Sequence, residues 1–354
     1  MKPMNTEDLR PGMVLARTVI NEDMVVILSE NTLLTKAHIT RLGFLNIPLV
    51  FVKDEYEMSA NYQTVEAMFN RSNAFASQYQ EVVSEVNDIF AATADNNSIP
   101  IEKTDNLIRQ SITPLARQSG AIDYLYDLNH LASDVYNHSL RVAVLAGVIG
   151  KWLKMPSKNI NELIMAGFLH DIGKTKFPDR LHNRRVETMR GDDFETYLQH
   201  TADGHHLLCA NPGIPEGVKL AALQHHECMD GSGFPFGTTG QDIHEYARII
   251  AIADMYDNIT TEREGFVRQT PFTAIARITE QMYTKLDPSI CVVILKQIKN
   301  AFLGSSVTLN DGRKGTIVRY PNDMAEHPLV SIAAEEIIDL NMDRTLRIVE
   351  YNPK

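Results

Sequence analysis

The chain is short of cysteine, of basic excess and of long apolar runs, and each shortage excludes something. Its three cysteines, Cys209, Cys228 and Cys291, are scattered and form no CxxC. That count offers no disulfide framework and fits a reducing compartment. No apolar run reaches the roughly 18 residues of a membrane-spanning helix. The opening MKPMNTEDLRPGM lacks the apolar core of a secretory signal, so a cytoplasmic location is expected. The formal net charge of −11 argues against polymeric nucleic acid, which needs a basic footprint. It leaves room for a small anion held by local positive charge, which a bound metal can supply.

Composition is otherwise that of a globular chain, 44% hydrophobic and 22% charged over 354 residues. Residues 1–55 read as a small α+β module. MVLARTVI, MVVILS and IPLVFVK look like strands, and TKAHITRLGFLN like a helix with Thr35 as N-cap. A helical stretch without Pro or Gly follows, with Val65, Met68, Phe69 and Phe75 on an imperfect apolar stripe. That stripe suggests a homodimer through residues 60–95, and ATADNNSIP reads as a polar break after it. From about 101 to 302 the pattern is helix after helix, as in NINELIMAGFLH and YARIIAIADMYDNIT. After Gly304 it turns to β, with SSVTLNDGRKGTIVRY reading as a hairpin turning at Asp311-Gly312.

The central region carries the chemistry. His138, His170, His200 and the pair His225-His226 fall on separate expected helices, with Asp171 beside His170 and Asp254 closing the series. Helices of a bundle can turn such groups onto one metal centre. Imidazoles and carboxylates suit Fe, Mn, Zn and similar ions. A carboxylate next to a ligand histidine can bridge two ions, and two ions about 3.5–4 Å apart can activate water and clamp phosphoryl oxygens. A lone histidine is more often packed or solvated. His38, His130, His182, His244 and His327 take that reading, as do His205 and His206.

The ordered set resembles the HD superfamily of metal-dependent phosphohydrolases, and more closely the HD-GYP family of bacterial cyclic-di-GMP phosphodiesterases. The matching stretches are HSLRVA (138–143), HDIGK (170–174), His200 with Gly204, HHECMDGSGFP (225–235) and ARIIAIADMYDNIT (247–260). DLRPGMVLA resembles the small domain often found ahead of this family's catalytic domain. The resemblance implies a mainly α fold: a helical HD-domain bundle over 121–303, a small α+β domain over 1–55, a helical connector over 56–120 and a β-rich segment over 304–354. It implies two divalent ions, Fe or Mn, on His138, His170, Asp171, His200, His225, His226 and Asp254, with Asp171 bridging. Lys174 would contact the scissile phosphate, its alternative being a helix C-terminal cation. The implied reaction is hydrolysis of cyclic-di-GMP to linear pGpG, with further cleavage to GMP left open. A 3′,3′-cyclic GMP-AMP hydrolase and a cyclic-dinucleotide sensor with little turnover are the rivals, with oxygen chemistry at a di-iron site a third.

The chain departs from the family at four places. Asp134, four residues before His138, stands where some members have a Glu that helps bind a third metal. Asp is one methylene shorter, and a solvated helix carboxylate is the alternative. Gly-Tyr-Pro is here Gly233-Phe234-Pro235, which keeps the loop glycine and proline and loses the phenol. Contacts proposed for that motif, such as with a diguanylate cyclase, lose their hydroxyl. Asp230 reads as a loop cap. The family's Arg-Pro-Tyr-Lys is REGF: Arg263 is kept as a phosphate ligand, and Phe266 replaces the second cation, for which Arg268 is a substitute. Arg180, Arg184 and Arg185 form a basic stretch after HDIGK, read as a solvated face.

Overall fold

A computed structural model describes the chain except residues 1, 11–12, 21–25, 29–31, 33, 46, 53–54, 129–134, 182–183, 185, 264–265, 322–326, 334–335 and 354, and leaves aside some side chains in the N-terminal region, chiefly those of 55–73. The chain forms two compact units. The first comprises Met1–Asn73 and Val330–Asp339, the second Ala74–Leu329 and Leu340–Lys354.

In the first unit, β1 (Lys2–Asn5) is followed by β2 (Val19–Ile20), β3 (Val26–Leu28), helix α1 (Lys36–Phe44) and β4 (Leu49–Val52). β1 pairs antiparallel with β4, Lys2 opposite Val52, and β2 pairs with β3. Leu15, Leu28, Leu34, Leu42 and Val52 fill the small core between them. Thr35 Oγ1 accepts from the His38 amide at 3.3 Å, the N-cap expected of it.

Helix α2 (Glu55–Asn96) then runs without interruption. The expected break at ATADNNSIP falls later than the sequence suggests. Nothing in Ala92–Asn96 stops a helix, and the turn comes at Asn97, whose φ is +48°. In the described half of α2, Phe75, Tyr79, Val82, Val86 and Ile89 recur at helical spacing and are buried within the chain itself. Phe90 meets Phe168 edge-on at 5.3 Å. This stretch of the stripe is therefore core and not a free face. Val65, Met68 and Phe69 lie outside the described side chains.

The second unit continues with α3 (Ile101–Leu107), a π-turn over Ile108–Ile112, α4 (Thr113–Arg117), α5 (Ala121–Leu128), α6 (Val135–Trp152), α7 (Ser157–Leu169), α8 (Asp192–Cys209), α9 (Glu216–Gln224), α10 (Glu245–Thr260), α11 (Pro271–Gln281) and α12 (Pro288–Phe302). Three strands follow in this unit or at its edge: β5 (Ser306–Leu309), β6 (Lys314–Arg319) and, near the C-terminus, β9 (Ile348–Asn352). Between the last two, β7 (Leu329–Ala333) and β8 (Glu336–Asp339) are neighbours. β5 pairs antiparallel with both β6 and β9, and Gly312 in the expected turn takes φ +89°. The mainly α bundle with short antiparallel strands is thus the fold expected. No helix among the described residues is long and apolar enough to cross a membrane.

Three glycines set the distances that matter. A Cβ on Gly167 would lie 2.9 Å from Ala143 Cα, so α7 packs backbone-close on α6. The short connection makes the pair antiparallel and puts the start of α6 beside the end of α7. A Cβ on Gly173 would lie 2.0 Å from the His200 carbonyl oxygen and 2.6 Å from the Gly204 nitrogen. The turn after α7 therefore rests on the backbone of α8. Because the obstacle is backbone, relief requires moving a helix. Gly173→Ala is expected to destabilise the protein by about 3 kcal/mol, read from urea unfolding; a change within about 0.5 kcal/mol would refute the close approach.

Candidate metal centre

Histidine 138 sits in the first turns of α6, His170 caps the end of α7, and Asp171 begins the 3-10 turn resting on α8. His200 lies on the buried face of α8, His225 caps α9, His226 follows it, and Asp254 projects from α10. Five elements thus converge, and all seven residues expected as ligands meet there. Asp134 lies outside the described residues.

Asp171 is buried and is the shared member. Ligand atoms of Asp171, His200, His225 and His226 all lie within 4.8 Å of one another, as do those of His138, His170 and Asp171. Its two oxygens divide the histidines. Oδ1 faces His200 Nε2 at 3.3 Å and His225 Nε2 at 3.6 Å. Oδ2 faces His170 Nε2 at 3.4 Å, His138 Nε2 at 3.6 Å and the Lys174 ammonium at 2.5 Å. Asp254 Oδ1 approaches His138 Nε2 at 3.0 Å and His170 Nε2 at 3.9 Å, on the second side only.

The outer nitrogens are fixed by protein partners. Nδ1 of His170 donates to the Gly167 carbonyl at 2.8 Å, that of His200 to the Tyr197 carbonyl, and that of His225 to the Ala222 carbonyl at 3.0 Å. A carbonyl only accepts, so each Nδ1 carries the proton and each Nε2 offers a lone pair. His138 Nδ1 donates to Asp257 Oδ2 at 2.8 Å, and Asp257 is held by Arg141 at 2.7 Å and by Thr261 at 3.2 Å. A carboxylate behind a histidine is the usual partner of a metal-ligating imidazole.

Among the described residues, several of these lone pairs face one another or have no hydrogen-bond partner. His200 Nε2 and His225 Nε2 face each other at 3.4 Å with no hydrogen between. His170 Nε2 and Asp171 Oδ1 are buried without a hydrogen bond. Buried polar atoms left so are costly, and cations between them resolve every one. The residues therefore fit metal ions, in two half-sites sharing Asp171.

Electrostatics agree. Burial pushes His200 down to about 3, and lowers His225 and His226 as well. His138 moves the other way: burial opposes its charge, but the hydrogen bonds to Asp254 and Asp257 hold it above its ordinary value. Burial opposes ionisation of Asp171 too, and the facing His170 and Lys174 overcome it, holding Asp171 well below the usual carboxylate range. Neutral imidazoles at His200, His225 and His226 beside an ionised Asp171 are in the protonation state that metal binding demands, and His138 is the exception.

Around this centre Arg263 Nη2 lies 3.5 Å from His138 Nδ1, and its buried Nε has no hydrogen-bond partner among the described residues. Arg263 and Phe266 close a tight bridge by backbone bonds of 2.9 and 3.1 Å. Glu264 and Gly265 lie outside the described residues. Arg268 does not substitute for the missing cation. It donates to the Tyr126 carbonyl at 2.7 Å and stacks on that ring at 4.5 Å. Arg180 and Arg184 pair with Asp193 at 2.9 and 2.7 Å on the surface, and Arg185 is outside the described residues. Asp230 accepts from the Ser232 amide at 2.9 Å, the loop cap expected of it. The Phe234 ring stacks on His226 at 4.6 Å.

Sequence reasoning missed Asp257, Arg141, Glu227 and Tyr197. The signal was spacing: Asp257 is one turn beyond Asp254, Arg141 one turn beyond His138, and Tyr197 one turn before His200. Glu227, in HHE, is buried and accepts from the Phe236 and Thr238 amides at 2.8 and 3.1 Å, which anchors the loop over the centre.

Residues 125–290 match the HD-domain family model. The matched stretch contains every residue of the metal centre described above. Among curated relatives it is similar to a cyclic di-GMP phosphodiesterase of Pseudomonas aeruginosa, 27% identical over 266 residues, 72% of this chain and 64% of the relative. It is also similar to a 3′3′-cGAMP-specific phosphodiesterase of Vibrio cholerae, 29% identical over 163 residues, 46% of this chain and 35% of the relative. The chain thus spans less than two-thirds of the length of these relatives. An HDG"Y"P protein of Bdellovibrio bacteriovorus shares the fold, with TM-score 0.54 over 84% of this chain and 99% of that one at 16% identity.

Two predictions follow from the geometry. Asp257→Asn, isosteric with its parent, is expected to weaken metal binding about 10–100-fold, measured by calorimetry against a competing chelator; unchanged affinity refutes the supporting role. The second concerns the metal-free protein. A buried imidazole with a lowered pKa stabilises the fold fully above about 6.5, and that contribution is lost as pH falls toward about 3 for His200. His138 acts oppositely, its contribution present below about 6.5 and lost as pH rises. Below about 6.5 the His138 contribution no longer changes, so the three lowered groups set the direction and stability is expected to fall from pH 6.5 to 4.5, by up to about 1.4 kcal/mol per unit per histidine. Urea midpoints across that range check it, and a flat profile contradicts it.

Proposed function

We propose that the protein is a metal-dependent phosphodiesterase that hydrolyses a cyclic dinucleotide, cyclic-di-GMP first, to the linear dinucleotide pGpG. The observation that carries the reading is the division of the Asp171 carboxylate, one oxygen toward each set of histidines, with buried lone pairs on both sides. His138, His170, Asp171 and Asp254 would hold one ion, and Asp171, His200, His225 and His226 the other. Divalent ions at such a site, Fe or Mn by the mixed nitrogen and oxygen donors, supply activation of water and neutralisation of phosphoryl charge.

The chain's own residues support the rest. Lys174 and Arg263 bring two cations to the rim of the centre, and the unpartnered Arg263 Nε–H is a donor awaiting an anion. A phosphodiester carries that anion, and charge-assisted bonds from both side chains would orient it. Lys174 touches Asp171 and would turn its ammonium toward the oxygen that leaves. The names of the relatives support cyclic dinucleotides as the substrate class. The second reading, a 3′,3′-cyclic GMP-AMP hydrolase, is favoured by the Vibrio cholerae relative and by the altered residues after Arg263. A cytoplasmic signalling role accompanies either substrate.

The test is turnover. Protein reconstituted anaerobically with Fe(II) or Mn is given cyclic-di-GMP and cyclic GMP-AMP separately. Linear product is expected, lost by about a thousandfold or more in Asp171→Ala and by about a hundredfold in Lys174→Met. Arg263→Ala is expected to raise KM about tenfold. Tight nucleotide binding without product, on protein holding two ions, would replace the enzyme with a sensor.

A further inference from the structure

Four of the five histidines at the centre obey one rule: the ring nitrogen with a protein partner is Nδ1, and Nε2 faces inward. His226 breaks it. Its Nε2 and the Tyr197 hydroxyl lie in hydrogen-bond contact at 3.1 Å, and among the described residues Nδ1 has no hydrogen-bond partner. Its ligand atom still lies within 4.8 Å of those of Asp171, His200 and His225. A ligating imidazole donates its other N–H to a fixed partner, which sets tautomer and ring orientation. Applied here, the rule gives His226 Nε2–H to the phenol and leaves Nδ1 for the ion.

Tyr197 touches the centre twice more, once in this half-site and once at the cation beside Asp171. Its carbonyl accepts from His200 Nδ1, and the Lys174 ammonium lies 5.5 Å from the centre of its ring. The residue is in turn anchored in a small core of Phe177, Leu181 and Met189, with Phe234 packed alongside. One residue on α8 is therefore in contact with two histidines and the cation that faces Asp171.

We propose that Tyr197 is the positioning residue of the half-site formed by Asp171, His200, His225 and His226, with His226 binding its ion through Nδ1. The phenol that Phe234 lacks is thereby present in the site from a different element. The role rests on the metal centre proposed above.

Tyr197→Phe tests it, because the ring, the backbone carbonyl and the core contacts stay and only the hydroxyl goes. Metal binding is measured by calorimetry and elemental analysis on full-length protein, with unfolding of the metal-free form as the check on folding. The expected result is two ions on the wild type and, in Tyr197→Phe, a second ion bound about tenfold more weakly with the first unchanged. Tyr197→Leu, which also removes the ring, is expected to weaken the second ion at least as much. Imidazole NMR of protein loaded with a diamagnetic divalent ion, Zn, is expected to show the His226 proton on Nε2. An unchanged or tightened second ion in Tyr197→Phe overturns the role, the tightened case meaning that phenol and metal compete for Nε2. A proton on Nδ1 overturns it as well. Wild-type protein that takes up fewer than two ions overturns the metal centre itself, a failure visible before any variant is made.

Discussion

Everything at the centre of this protein is arranged around one buried carboxylate. Asp171 has almost no contact with solvent, and burial alone would hold it protonated. It is ionised because His170 and Lys174 face it and because further imidazoles surround it. An anion in that position has a cost that imidazole lone pairs facing it do not offset. Two atoms beside it, its own Oδ1 and His170 Nε2, are left without partners. Those atoms are donors that suit cations, and the helices fix their positions.

The scaffold does so by restricting freedom at every outer contact. Backbone carbonyls of α7, α8 and α9 fix three imidazoles, and the Asp257–Arg141 pair fixes a fourth. Asp257 is buried with its counter-ion, so the histidine gains an anionic partner without a net charge entering the core. Above the centre Glu227 ties down the loop that carries Phe234. The rim is cationic through Lys174 and Arg263, in a chain whose overall charge is −11. An acidic protein can therefore still present a local field that suits an anionic substrate.

Much of this was legible in the chain. The five histidines and two aspartates come together as their order along separate helices implied, the DG hairpin turns where expected, and Asp230 caps its loop. Other features were not. Arg268 was a plausible replacement cation by position, yet its guanidinium is committed to Tyr126. The end of α2 ran past a polar segment, because Ala, Thr, Asp and Asn do not by themselves stop a helix.

The division between the two kinds of information is physical. Sequence fixes which groups can ionise, which can ligate and how far apart they lie along one helix, because those are local properties. It therefore named His138, His170, Asp171, His200, His225, His226 and Asp254. It does not say which carboxylate oxygen faces which imidazole, nor which nitrogen of a ring is occupied. Those depend on how closely helices approach, and here that distance is set by Gly167 against Ala143 and by Gly173 against the backbone of α8. Only in the folded chain do Tyr197 and Asp257, ordinary helix residues by sequence, become the groups that hold the histidines in place.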